Sequence, residues 1–171
     1  MADITRLPFE EEFDAIFSNA VLHWVKAPVS ALDNIYKSLR SGGRFVAEFG
    51  GEGNVVQLTD AVIQQVREAG YTFHESRFPW YFPSIAEYTK LMEQTGFIVT
   101  NARLYDRPTE LEGMDGLRNW MKMFAETFMY DVPVTERDQV IERMEYALKQ
   151  DLYQEGAWIA DYVRLQVIGK K

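Results

Sequence analysis

Hydrophobic and polar positions alternate with two different periods along this chain. Phe13–Phe17 sets aromatic and β-branched residues into five positions and predicts a short buried strand. Ser18, Asn19 and Ala20 break the run, and Val21–Trp24 predicts one helical turn. Val29, Leu32, Ile35, Tyr36 and Leu39 then recur at helical spacing behind Pro28. Gly42–Gly43 is expected to stop that helix, and Arg44–Phe49 to form a second strand. Strand, crossover helix and parallel strand close right-handed. Val55, Leu58, Val62, Val66 and Ala69 mark the next helix, up to Gly70. Ser84-Ile85-Ala86-Glu87 forms a capping box that opens a helix buried through Ile85, Tyr88, Leu91 and Met92 and closed by Gly96. Phe97–Tyr105 reads as a strand and Pro108–Gly116 as a loop. Leu117, Trp120, Met121, Phe124 and Phe128 line a helix, and Thr135 is expected to cap another, with Val140, Ile141, Met144 and Leu148 inside. Finally Ile159, Val163, Leu165 and Val167 alternate with Tyr162, Arg164 and Gln166 as one last strand. The class this predicts is α/β.

Composition narrows what such a fold can serve. The 171 residues suffice for one domain, or one domain with a lobe. The net charge of −8 with scattered Lys and Arg leaves no basic stripe, which argues against a nucleic-acid partner. There is no cysteine, hence no disulfide and no thiolate chemistry, which suits a reducing compartment. The amino terminus lacks the apolar core of a signal peptide, and no apolar run reaches the roughly 20 residues that span a bilayer. A cytoplasmic location without membrane attachment is the expectation.

Candidate chemistry is sparse. With only His23 and His74 and no cysteine, a three- or four-ligand His/Cys metal site cannot be built. No Gly-x-Ser-x-Gly elbow is present, and Glu10-Glu11-Glu12 reads as solvated loop. Phe49-Gly50-Gly51-Glu52-Gly53-Asn54 has the setting of a dinucleotide loop, but lacks the third glycine and would turn Glu52 toward the phosphates. It reads as a flexible turn capped by Asn54, or as a loop bordering an active site. Ligands of open α/β sheets sit outside the carboxyl ends of the strands. Asn19, Ala20, His23 and Trp24 fall there. His23 titrates near neutrality and is the candidate general base; its alternative role is to tether its loop to the backbone. Trp80, Tyr81, Arg77, Arg118 and Trp158 are candidates for an acceptor pocket, where an Arg would suit a carboxylate and otherwise serves as surface charge.

The stretch Phe13–Trp24, FDAIFSNAVLHW, resembles the fourth strand and following loop of the class I S-adenosylmethionine-dependent methyltransferases. Within them it is most similar to the trans-aconitate methyltransferase-like group. LRSGGRFVAEF resembles the entry into that family's fifth strand, with Ser41 where proline is frequent. WYFPSIAEYTKLMEQTGFIV resembles the segment leading into its sixth strand. Ala2-Asp3-Ile4-Thr5-Arg6-Leu7-Pro8-Phe9 resembles the segment after its third strand. The resemblance implies that Asp3 meets the adenine amino group of the donor and that the backbone of Ile4 meets the ring. It also implies that Asn19 and Ala20 lie near the donor's methionine end and that Trp24 walls the donor pocket or closes the core. The helix pair after Pro108 would cover the substrate.

The resemblance runs over nearly the whole chain, yet what the family places earlier is not in it: the first strand with its glycine-rich loop, and the acid that holds the ribose. Three strands with their helices and loops come to roughly 80 residues. The expectation is therefore the carboxyl-terminal part of a Rossmann-like methyltransferase sheet with a helical cover. Residues 1–53 would be the remainder of the donor-binding sheet; residues 54–171 would hold the substrate-side helices and the last two strands. The implied activity of the complete protein is methyl transfer from S-adenosylmethionine to a small-molecule acceptor, a carboxylate among the candidates. This chain alone is expected to be inactive. The alternative is a non-enzymatic binding or assembly module. With its family neighbour missing, strand 13–18 would become an edge, exposed to pairing with a second copy unless residues 1–12 fold over it.

Overall fold

The computed structural model describes residues 3–171, the side chain of Ala125 excepted; Met1 and Ala2 of the amino-terminal segment lie outside the described residues. The chain forms two compact units that alternate along the sequence. One contains the residues up to Asn54, Trp80–Asp106 and Val163–Lys171; the other contains Val55–Pro79 and Arg107–Tyr162.

The first unit is a four-stranded mixed sheet. Its strands are β1 (Phe13–Asn19), β2 (Leu39–Gly50), β3 (Ile98–Asp106) and β7 (Val163–Lys170), in the order β1-β2-β7-β3. β1 and β2 are parallel, joined by α1 (Pro28–Ser38), and β7 runs antiparallel to both its neighbours. α1 and α3 (Ile85–Thr95) bury Leu32, Ile35, Tyr88 and Met92 against Phe45, Ala47, Phe49, Leu165 and Val167. Each such large apolar side chain removed from water contributes about 1.5–3 kcal/mol. The amino-terminal segment runs along α1, where Asn34 Nδ2 donates to Thr5 C=O and Ser38 Oγ to Phe9 C=O. Among the described residues β1 therefore has β2 as its only ladder neighbour, and Phe17 is 72% exposed.

The second unit packs α2 (Val56–Glu68), α4 (Gly116–Phe128) and α5 (Val134–Leu152) with a small sheet of order β4-β6-β5. Its strands are β4 (Thr109–Leu111), β5 (Tyr153–Gln154) and β6 (Ala157–Ala160).

Several local expectations are corrected. α1 ends at Ser38, ahead of Gly42–Gly43, because Leu39 is already extended and opens β2. The register jumps from Phe13↔Leu39 to Ala15↔Arg44, so the glycines lie in an excursion within the strand. The segment Pro108–Gly116 contains β4, paired with β6. The expected last strand is two strands in different sheets, parted at Asp161–Tyr162, where Tyr162 N–H turns back to Ala160 C=O. Thr135 lies inside the first turn of α5, whose N-cap is Pro133. Ile85 sits at the rim of its helix, 36% exposed.

Asn54 does not cap α2. Its Oδ1 accepts from Val163 N–H at 2.9 Å, while the helix starts behind Val55 in the left-handed region (φ 51°). The cap comes from Asp161: Oδ2 accepts from Gln57 N–H at 2.8 Å, and the backbone C=O accepts from Val55 N–H. Oδ1 of the same carboxylate is buried without a hydrogen-bond partner among the described residues. Burial raises the pKa of Asp161, opposed by the amides it accepts from. A raised folded pKa means that the native state favours the protonated form, so the ionised carboxylate costs stability above its ordinary range and acidification relieves that cost. Asp161→Ala is expected to lower stability by about 1 kcal/mol through loss of the cap. Asp161→Asn, which keeps the acceptor without the charge, is expected to equal or exceed the wild type at pH 7. Urea unfolding of the three proteins checks this; an Asn variant as weak as the Ala variant would refute it.

Candidate functional site

The carboxyl ends of β1 and β2 meet at a corner built around His23. β1 stops at Asn19, and Ala20 takes a left-handed conformation (φ 56°) while its N–H still donates to Glu48 C=O at 2.8 Å. That turn delivers Leu22–Trp24 as a single 3₁₀ turn, which buries Leu22 and His23. The imidazole, 7% exposed, accepts from Gly50 N–H through Nδ1 at 3.0 Å. The backbone C=O of His23 accepts from Tyr81 N–H at 2.8 Å. One residue thus ties three segments together: the turn after β1, the end of β2 and the stretch before α3.

The protonation state follows. Burial first, then the positive charge of Arg164, push the pKa of His23 down to about 4. The ring is neutral near pH 7, and with Nδ1 accepting, its proton resides on Nε2. Neither nitrogen then presents a lone pair for taking up a substrate proton. The geometry matches the tethering alternative for His23 and does not supply a base.

Aromatic rings close around the tether. His23 lies 5.5 Å from Trp24 and 6.0 Å from Phe82, centroid to centroid. Trp24 meets Trp80 edge-on at 5.6 Å, and Trp80 stacks on Phe82 at 5.5 Å. Trp80 is buried, whereas Trp24 keeps 48% of its surface exposed. Lys26 Nζ donates to Trp80 C=O at 2.6 Å, and burial lowers its pKa. Tyr81 donates its hydroxyl to Glu87, and burial together with that carboxylate raises its pKa above the usual phenol range.

The glycines beyond β2 serve packing. A Cβ on Gly50 would stand 2.6 Å from the Phe82 ring and 2.8 Å from Asn54 Nδ2; one on Gly51 would collide with Leu104 and Leu165. Glu52 N–H donates to Pro83 C=O, so the loop expected to be flexible is pinned on both sides.

Of the other predicted residues, Asp3 accepts from Thr5 N–H at 2.9 Å and Thr5 Oγ1 at 2.8 Å, hydrogen bonds that hold its carboxyl below the ordinary range. Ile4 packs against the core cluster of the first unit, and Asn19 is exposed. The structure brings His23, Trp24, Trp80 and Tyr81 together with Asn19 and Ala20 in the first unit. Arg118 and Trp158 lie in the second, both lining a cavity of about 370 Å³ with Glu145, Lys149 and Tyr153. Arg118 is engaged there by Glu145 at 2.6 Å and Asp138 at 3.5 Å. Arg77 lies over the Tyr130 ring, 3.4 Å from its centroid.

Sequence reasoning missed Phe82, the Gly50 amide and the pair His74 Nε2–Asp131 Oδ2 at 2.7 Å. Phe82 lies in the segment WYFPSIAEYTKLMEQTGFIV and is read there only for the likeness of that segment to the lead into a family strand. Among the described residues no cluster of three or more His, Asp or Glu suits a metal ion, and no helix is long and apolar enough to cross a membrane.

Comparison with known proteins gives the setting. Residues 1–47 match the methyltransferase domain family. An uncharacterized methyltransferase of Schizosaccharomyces pombe is 33% identical over 178 aligned positions, covering 100% of this chain and 67% of the relative. A tRNA U34 carboxymethyltransferase of Pseudoalteromonas atlantica is 29% identical, over 60% of this chain and 29% of its own length. Among solved structures, a Bacillus halodurans protein described as a methyltransferase superposes with a TM-score of 0.62 at 14% identity, covering 99% of this chain and 69% of its own. A Bacillus subtilis protein does so at 0.59 and 16%, with the same coverage. These two show the fold, the α/β methyltransferase fold with a mixed sheet. S-adenosylmethionine is the cofactor of the family. By its sequence match to the fission-yeast relative and by its fold, the chain belongs to the class I methyltransferases.

Proposed function

We propose that the complete protein transfers a methyl group from S-adenosylmethionine to a small carboxylate, and that this chain supplies the carboxyl-terminal side of the site. The observation that carries the reading is the neutral, backbone-bound His23 at the carboxyl end of β1 and β2. A carboxylate acceptor arrives ionised at neutral pH and needs no base, so what remains is alignment of acceptor and donor. The similarity of FDAIFSNAVLHW to the trans-aconitate methyltransferase-like group supports the same acceptor class. The net charge of −8 weighs against a nucleic-acid acceptor, the substrate named for the tRNA-modifying relative.

On this reading the donor's adenine amino group meets Asp3, whose Oδ2 is not used by its own cap, with Ile4 beside the ring. Its methionine end meets the Asn19–Ala20 turn, and the exposed face of Trp24 walls the pocket. The donor supplies an activated methyl on a sulfonium. The protein's residues bind, orient and keep water away.

The chain spans 67% of the fission-yeast relative and contains no glycine-rich donor loop. By itself it is expected to bind S-adenosylmethionine too weakly for saturation in the micromolar range, since each tenfold loss is about 1.4 kcal/mol. Calorimetry on the 171-residue protein decides, and a micromolar dissociation constant would overturn the expectation. With the donor-binding part supplied, fused or as a separate polypeptide, binding and turnover are expected. Trp24→Ala should then weaken donor binding about tenfold, measured by the same titration.

His23 acts on this reading as a positioning residue. Its folded pKa near 4 lies below the ordinary value of 6.5. The unfolded chain therefore takes up a proton below about pH 6.5 that the native ring refuses. The stability is fully present above that pH and is lost as pH falls toward 4, by on the order of 3 kcal/mol. His23→Asn keeps an acceptor near Gly50 N–H and does not titrate, so its urea stability should be flatter than wild type between pH 7 and 5.5. His23→Ala leaves that amide without a partner and should cost about 1–3 kcal/mol at pH 7. In the complete enzyme His23→Asn should keep most of kcat; a loss of several orders of magnitude with stability intact would make His23 a base after all.

A further inference from the structure

The geometry points to a second binding site in the cavity of about 370 Å³ within the second unit, with a small organic ammonium ion bearing an apolar body as its ligand. The walls follow from local structure. Leu111, Trp158 and Tyr153 stand side by side across the small sheet, since Leu111 pairs with Trp158 and Trp158 with Tyr153. A Cβ on Gly116 would lie 2.7 Å from Leu111, so the start of α4 closes onto β4 only through a glycine. The residues just before it, Met114 and Asp115, thereby reach the cavity. On α5, Ile141, Met144, Leu148 and Leu152 are buried. Glu142, Glu145, Tyr146 and Lys149 recur three and four residues apart, share a neighbouring face of the helix, and line the cavity.

Size and rim mark a ligand site. The volume lies within the range of small-molecule pockets, about 300–1,000 Å³. Met114 and Tyr146, 82% and 86% exposed, are the two most exposed large apolar side chains among the described residues, and both line this cavity. Such side chains are ordinary when scattered singly. Two of them converging on a cavity that also contains the edge-on pair Tyr153–Trp158, 5.1 Å apart, mark a surface that a ligand covers.

Charge selects the class. Arg118 is held by Glu145 and Asp138 and offers nothing to an anion. The carboxylates of Asp115 and Glu142 have no hydrogen-bond or ion-pair partner among the described residues. Lys149 is the cavity's other cation, and its Nζ stands 5.8 Å from the centre of the Tyr153 ring, near the outer limit of about 6 Å for such a contact. That ring face attracts a cation and is loosely held by this one. An incoming ammonium group gains the two free carboxylates and the ring face, and its apolar body covers Trp158, Met114 and Tyr146. A carboxylate ligand would meet two free acids for one lysine. This inference is independent of the methyl-transfer reading, because no residue of the His23 corner lines the cavity.

Three probes that share a phenyl ring on a two-carbon chain and differ in charge test it: phenethylammonium, phenethyl alcohol and phenylacetate. Each is titrated into the 171-residue protein without S-adenosylmethionine, with the indole resonance of Trp158 reporting binding by NMR. The ammonium is expected to bind about tenfold tighter than the alcohol, and phenylacetate to bind weakest. Glu142→Gln and Tyr146→Ala, at exposed positions outside the core, should each weaken the ammonium about threefold. Lys149→Gln, which removes the competing cation, should strengthen it by a similar factor. Phenylacetate binding as tightly as the ammonium overturns the proposal. So does a loss of affinity in Lys149→Gln, indifference to all of these substitutions, or a Trp158 signal unshifted at about 10 mM ammonium.

Discussion

A hydrogen bond from the Gly50 amide to an uncharged imidazole holds the corner of this protein where its sheet meets its loops. The bond spans 27 residues and lies in a buried setting. An amide left there without an acceptor would cost about 1–3 kcal/mol, and a charged imidazole would have no lone pair to offer it. The corner therefore depends on the ring staying neutral. The surroundings secure that state: burial disfavours the charged form, and Arg164 adds like-charge repulsion. Tether and neutrality support one another, and the same bond that orders the loop occupies the Nδ1 lone pair of His23.

Close packing repeats the constraint at each end of the loop. Gly50 and Gly51 leave no room for a Cβ because Phe82, Leu104 and Leu165 fill the space, and Asn54 spends its side-chain oxygen on Val163 N–H. A loop whose glycines are consumed by side-chain packing cannot also wrap its amides around a phosphate, which is why the apparent dinucleotide pattern at Gly50–Gly53 carries no such chemistry. The strained position lies on the other side of the corner, at Ala20, where a non-glycine residue adopts φ 56°. Positions of that kind cost on the order of 1 kcal/mol or more and persist where surrounding contacts over-determine them. Here the Ala20–Glu48 hydrogen bond before it and the buried Leu22–His23 turn after it do so.

What the sequence made legible is what local periodicity encodes. The strand at Phe13, the helix behind Pro28, the Ser84 cap with its bond to Glu87 N–H, and the Met and aromatic stripe of α4 all follow from spacing within a few residues. The misread points share a different cause. Asn54 looked like a cap because its true partner lies 109 residues away, and the true cap of α2, Asp161, sits 104 residues from Gln57. The division between β6 and β7 escaped notice because each half alternates, although the buried set moves from even positions, Trp158 and Ala160, to odd ones, Leu165 and Val167, across the break, so that Ile159, read as inside, is only half-buried. The candidate site was legible as a place, the carboxyl end of a strand followed by Asn19, His23 and Trp24. Whether His23 is base or tether was not, because the acceptor role of Nδ1 is decided by an amide brought in by the next strand.

The charges of the second unit bear on the acceptor in the same physical terms. Arg118 suggested anion binding from its residue type alone, yet it is held by Glu145 and Asp138, and Asp115 and Glu142 line the same cavity. An anion entering there would have to displace a charge-assisted hydrogen bond of 2.6 Å and face the released carboxylates, a net loss in a site that already carries more acid than base. Arg118 is thus a brace between α4 and α5, and a carboxylate acceptor would take its orientation from elsewhere. Methyl transfer tolerates this, because a sulfonium donor draws an anionic acceptor by its own charge, and the protein then contributes orientation rather than a strong cation of its own. Orientation is what a rigid corner of buried rings and a pinned loop provides, and the bond between His23 and Gly50 is the contact on which that rigidity rests.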